Sequence, residues 1–132
     1  MQQSLQPGVK GEARHRVVTE HLVSFRKPGM PAVLSSPWLL QFLEDAAFSA
    51  VAAHLERGEA SVGVGFDFEH LAPTPCGETI AATAEVTEVD GCRVTLRIEA
   101  RDSQAVIARG THVRAVIDRK QFDARLKERP AG

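Results

Sequence analysis

One change of period governs what this chain can fold into. From Trp38 to Glu56 there is no glycine or proline, and Leu39, Leu43, Ala46, Ala50 and Ala53 recur at helical spacing. Gln41, Asp45, Ser49, Ala52 and Glu56 make the opposite, wetter stripe. Ser36-Pro37 suits an N-cap followed by proline at the first helical position, and Arg57-Gly58 suits the end. Beyond Ser61 the period falls to two. Val62, Val64, Phe66 and Phe68 alternate with polar residues or glycine up to His70. Ile80, Ala82, Ala84 and Val86 repeat the pattern over Thr79–Val89, and Val94, Leu96 and Ile98 over Cys92–Ala100. Asp90-Gly91 between those two is a strong hairpin signal. Ala105–Ile117 reads as a long last strand, and Asp118–Arg129 as a short helix or tail.

Upstream of the helix, Arg14–Phe25 carries Val17, Val18, Leu22 and Val23 and reads as a first strand. Arg26–Ser35, with two prolines and a glycine, reads as a loop. Residues 1–12 read as a flexible polar lead, leaving 13–132 as a single domain. The order is strand, long helix, four hairpin-connected strands, which is α+β. One helix covers only one face of such a sheet, and the free edges predict pairing with a second copy. Six Phe, one Trp and no Tyr make a small core. That is a further reason to expect a homodimer or higher homo-oligomer in which each chain supplies part of a shared site.

Charge and composition exclude several function classes. Sixteen basic against 17 acidic residues leave a formal charge of −1, which argues against a nucleic-acid or membrane-surface binder. No apolar run approaches the roughly 18 residues of a membrane span. The polar start lacks a signal core, and Cys76 and Cys92 do not make a disulfide framework, so a cytoplasmic location is expected. His15, His21, His54, His70 and His112 form no close ligand pair, and neither a metal nor another cofactor is expected.

Three residues stand out chemically. Glu44 sits one turn from Leu40 and Phe48, on the apolar flank, while its neighbour Asp45 sits with the polar stripe. A carboxylate so placed is a candidate for acid–base work, and the plainer reading is a flank glutamate that reaches water. His70 ends a strand before a Pro-rich bend and shares parity with Phe66 and Phe68; the plainer reading is a half-buried, satisfied histidine. Ser36 is a nucleophile or polar positioning group, or simply the helix N-cap. Gly63 and Gly65 inside a strand mark a bulge or a close approach by the helix or a ligand. Arg93, Arg97 and Arg101 share a face that reads as solvated, or as a contact for the phosphates of a nucleotide-like ligand, and Arg109 and Arg114 lie on opposite faces of the last strand.

These pieces resemble a hotdog-fold protein, and more closely the fluoroacetyl-CoA thioesterase type of hotdog acyl-CoA thioesterase. Three stretches carry the resemblance, which covers about residues 10–132. The first is Pro31-Ala-Val-Leu-Ser-Ser36 with Glu44 eight residues on. The second is Gly58-Glu-Ala-Ser-Val-Gly63 through His70, then Ala72-Pro-Thr-Pro-Cys-Gly77. The third is Gly110-Thr-His-Val-Arg-Ala-Val-Ile117, followed by Phe122 and Pro130-Ala-Gly132. The resemblance implies hydrolysis of a small acyl-CoA thioester to the free acid and CoA. It implies Ser36, Glu44 and His70 as the catalytic set, with Gly63 near the thioester carbonyl and Arg114 in a binding or structural role. Two departures bear on substrate. Ser36 stands where the family has threonine, and Lys27-Pro28-Gly29-Met30 stands where the fluoroacetyl enzyme carries bulky aromatics, which points to a more general acyl-CoA. Rival readings on the same fold are a non-catalytic acyl-CoA-binding module, an acyl-thioester hydratase or dehydratase, and a purely structural dimer.

Overall fold

The computed structural model describes residues 1–131. Five strands form one antiparallel sheet: β1 (Lys10–Arg16), β2 (Glu59–His70), β3 (Thr79–Asp90), β4 (Arg93–Arg101) and β5 (Val106–Asp118). Their spatial order is β1-β3-β4-β5-β2. Helix α1 is a single turn (Val23–Arg26), α2 spans Ser36–Ala52, and α3 (Arg119–Glu128) follows β5. The sheet curls around α2, which packs mainly on β1 and β3. This is the hotdog arrangement, α+β.

The core forms where the two periods meet. Helix α2 buries Leu39, Phe42, Leu43, Ala46, Ala47, Ala50 and Val51. Opposite them, Ile80, Ala82, Ala84 and Val86 of β3 and Val94, Leu96 and Ile98 of β4 are buried, as their alternation predicts. Each large apolar side chain buried this way contributes roughly 1.5–3 kcal/mol. Small residues set the helix-to-sheet distance. A Cβ on Gly11 would overlap the backbone of Ala46 and Ala50, so β1 lies directly against the helix there.

Several boundaries differ from the sequence expectation. The first strand is Lys10–Arg16, not Arg14–Phe25, and it takes in Lys10–Glu12 from the polar lead. Val17 and Leu22 are apolar because they are buried in the connection, where residues 19–21 form a 3₁₀ turn ahead of α1. Leu5 in the lead is buried, and the Met1 ammonium lies 2.6 Å from Glu59. Helix α2 stops at Ala52 rather than Glu56, which leaves Ala53 exposed. The hairpin turn is Gly91-Cys92, one residue later than Asp90-Gly91, because Asp90 pairs with Arg93. Gly91 takes φ +59°, and among the described residues no non-glycine residue has positive φ, as a II′-type loop requires.

The largest difference is in β2. Its register against β5 shifts between Gly63 and Gly65. Before this bulge, Ser61 and Gly63 stand opposite Val116 and Arg114; after it, Phe66, Phe68 and His70 stand opposite His112, Gly110 and Ala108. The bulge adds a residue and so reverses the alternation. Val62 and Val64 therefore do not share a face with Phe66 and Phe68. Ser61, expected to face outward, is buried instead.

Candidate active site

Ser36 and His70 meet because two connections are tied together. The residues leading into α2 run beside the bend after β2: Leu34 N donates to Thr74 O at 2.8 Å, and Val33 bridges Pro75. Thr74 is anchored through its hydroxyl to Asp102 (2.9 Å), and Leu71 N donates to Ile107 O (2.7 Å) just past His70. The N-cap of α2 is Ser35, with no side-chain cap bond, and Pro37 lies in the first turn. Ser36 is thus not the cap. Its Oγ lies 2.9 Å from His70 Nδ1, in hydrogen-bonding contact. His70 Nε2 is buried and has no partner among the described residues.

Glu44 belongs to a second group. Its Oε2 lies 3.4 Å from Arg114 Nη1. Arg114 is buried, and it also donates from Nε to Ser61 Oγ (3.0 Å) and from Nη2 to Ser61 O (2.9 Å). Its guanidinium carbon stands 5.6 Å from the centre of the Phe48 ring. Gly63 faces the same carboxylate: a Cβ there would come within 2.6 Å of Glu44 Oε2. The strand glycine therefore marks both a bulge and a close approach by the helix. Arg109 is exposed and 3.9 Å from Glu99 on the other face, so of the two arginines on β5 only Arg114 points inward.

Ser36 and Glu44 are eight residues apart on α2, about 12 Å along the helix axis. One chain thus assembles Ser36 with His70, and Glu44 with Arg114 and Gly63, as two separate clusters. Among the described residues no group of three or more His, Cys, Asp or Glu side chains is arranged to hold a metal ion.

A family model described as fluoroacetyl-CoA-specific thioesterase matches residues 17–120. The chain belongs to this thioesterase family. As a family member it is 39% identical over 103 residues to the fluoroacetyl-CoA thioesterase of Streptantibioticus cattleyicolor, covering 77% of this chain and 74% of that protein. A solved structure of the fluoroacetyl-CoA thioesterase superposes with a TM-score of 0.88 at 31% identity, over 96% of this chain and 98% of that one. A hot-dog-like protein from Thermanaerovibrio acidaminovorans gives 0.87 at 27%, over 96% and 93%. The family member is a hotdog acyl-CoA thioesterase, as the three quoted stretches imply.

Two residues of the Arg114 cluster are not singled out for the site by the sequence, Ser61 and His112. Ser61 was hidden by the bulge, which alone puts it on the same inner face as Phe66 and Phe68. The signal for His112 was its parity with Arg114 and Val116 on β5, all three buried.

Charge state follows from burial. Burial pushes the His70 imidazole below its ordinary value of 6.5, against a contact with the Ala72 backbone. Burial does the same to His112, with the Gly65 carbonyl opposing and Arg114 reinforcing the shift. Both rings are therefore neutral in the fold near pH 7 and take up protons at lower pH than they do in the unfolded chain, which does so below about pH 6.5. Between the two values the unfolded state binds more protons. This stabilising contribution is thus fully present above about 6.5 and lost as pH falls through the lowered native values. The melting temperature is expected to drop between about pH 7.5 and about pH 5, before carboxylates titrate. A melting temperature unchanged over that interval, read by circular dichroism, would contradict the assignment.

Proposed function

We propose that this thioesterase hydrolyses a small acyl-CoA thioester at a site shared by two copies of the chain. Ser36, Glu44 and His70 form the catalytic set, and Gly63 and Arg114 serve substrate and carboxylate placement. The observation that carries this reading is the Glu44 carboxylate, fixed by a buried arginine against a strand position with no side chain. The missing side chain lets that carboxylate approach the strand, where a thioester carbonyl is placed beside it. Glu44 takes a proton from an attacking water as the water oxygen bonds to the carbonyl carbon. Backbone N–H groups near Gly63 or at the start of α2 receive the oxyanion. As the carbon–sulfur bond breaks, the departing CoA sulfur takes up that proton through His70, whose Nδ1 is engaged by Ser36 and whose Nε2 is free.

Three observations support a second copy. Strand β2 is at the sheet edge, hydrogen-bonded on one side only. Phe48 (51% exposed), Val64 (48%) and Phe66 (38%) lie uncovered on or beside it. The 12 Å or so along α2 between Ser36 and Glu44 is bridged if Glu44 meets Ser36 and His70 of the partner subunit across a two-fold axis. Between Arg26 and Ser35 the connection before α2 offers Lys27 and an exposed Met30 in place of large aromatics, which supports acyl groups beyond fluoroacetyl. Both cysteines are exposed and unpaired, in keeping with a reducing cytoplasm.

The test is a panel of acetyl-, fluoroacetyl-, branched and aromatic acyl-CoAs, read by free-thiol release. Turnover of acetyl-CoA and its small homologues, with slow release from aromatic thioesters, is the expected result. Binding without thiol release from any member of the panel would overturn it in favour of a binding module.

A further inference from the structure

We propose that His112 is a positioning residue of this thioesterase: it bolts the β2 bulge beside Gly63 to the guanidinium that holds Glu44. The inference rests on the reading of Glu44 as catalytic, and goes beyond it to a residue that touches neither substrate nor the reacting atoms. His112 is fully buried. Its Nδ1 lies 2.8 Å from Gly65 O, and a carbonyl can only accept, so Nδ1 carries the proton. Its Nε2 lies 3.2 Å from Arg114 Nη1, and a guanidinium can only donate. Both contacts are satisfied at once by one species alone, the neutral Nδ1–H tautomer.

The ring's place is fixed by packing as well. It stacks on Phe66 with 3.9 Å between centroids and 13° between planes, and its Cε1 would lie 3.2 Å from a Cβ on Gly63. One side of the imidazole therefore fastens the bulge, and the other fastens the arginine. Those are the two structures that flank the Glu44 carboxylate. The charged groups facing His112 are Arg114 on its own strand and Glu44 from α2. A proton added at Nε2 removes the acceptor for Arg114 and sets two cations 3.2 Å apart. Burial, which disfavours that proton, keeps the bolt closed near neutral pH.

The experiment compares His112→Phe, which keeps the ring and its stacking, with His112→Gln, which returns an acceptor oxygen near the Nε2 position. Hydrolysis of acetyl-CoA is followed by thiol release across the pH range. His112→Phe is expected to lower kcat about a hundredfold with KM within a few-fold of wild type, since a carboxylate misplaced by about 1 Å costs that much. His112→Gln is expected to recover most of the loss. Equal kcat in the two variants would overturn the proposal, because packing alone would then matter. Glu44→Gln, assayed alongside, separates the two levels. Wild-type turnover there sinks the catalytic reading itself, whereas an inactive Glu44→Gln with a fully active His112→Phe sinks only the positioning role. Should the variants not fold, ring-nitrogen NMR of the wild-type protein decides. An Nδ1–H tautomer of His112 that persists below pH 6.5 is the expected signature, and an Nε2–H tautomer or titration at the ordinary value of 6.5 overturns it.

Discussion

A Glu44→Gln protein is expected to hydrolyse acetyl-CoA about a thousandfold more slowly than wild type, since a positioned acid–base group contributes roughly 10²–10⁴ in rate. Glutamine keeps the length of the side chain and a carbonyl oxygen for Arg114 Nη1, now 3.4 Å from Glu44 Oε2. It also keeps the space beside Gly63, so the fold and the placement of a bound thioester persist. What it removes is the ability to take up a proton or to attack carbon. The loss therefore falls on kcat, with KM nearly unchanged, which distinguishes a chemical role from a binding one. Free-thiol release together with a thermal melt measures both sides of this. Wild-type-like hydrolysis by the folded variant would remove Glu44 from the mechanism, and with it the reason for a buried arginine at position 114.

The second large effect is a gain. Glu44→Gln and His70→Ala homodimers, each nearly inactive, are mixed after partial denaturation and allowed to exchange subunits. If the site spans two chains, a heterodimer holds one intact site, with Glu44 from the His70→Ala chain and His70 from the other. Random exchange makes half the dimers hetero, each with one of two sites working, so recovery approaches about a quarter of wild-type activity. If Glu44 and His70 of one chain served the same site, every site in the mixture would lack one of them. Activity would then stay at the level of the parents, and the shared-site reading would fail. The spacing on α2 is what motivates the expected gain. Eight helical residues place Ser36, with its partner His70, about 12 Å from Glu44 along the axis, farther than a water or a thioester carbon can bridge.

The residues that carry the proposed chemistry were legible at the level of type and neighbourhood. Glu44 stood out because apolar residues one turn away contradicted its charge, and Gly63 because a glycine inside an alternating strand asks what approaches it. Ser36 was legible as a nucleophile or polar positioning group, or as the helix N-cap. Its contact with His70 joins two connections whose proximity depends on the Leu34–Thr74 and Val33–Pro75 pairing, 40 residues or so apart in sequence. Arg114 was visible as one of two arginines on opposite faces, and burial settled which one turns inward.

By itself, the sequence determined the α+β class, the helix and the hairpins that join β3, β4 and β5, because the period of apolar residues is a local property of the backbone; the expected hairpin from β2 to β3 is absent, since β2 pairs with β5 and β3 with β1. The inner faces of β3 and β4 followed directly from that period. Only the tertiary structure decided the inner face of β2. A bulge adds a single residue, two glycines give no side-chain signal of where it falls, and every later side chain changes sides. That reversal buries Ser61, brings Phe66 onto His112 and completes the ring of contacts around Arg114. The same holds for Gly11, which reads as part of a loose lead until α2 is packed against it. Alternation is counted along the chain, whereas a bulge and a helix contact are set across it, and the candidate site lies where the two meet.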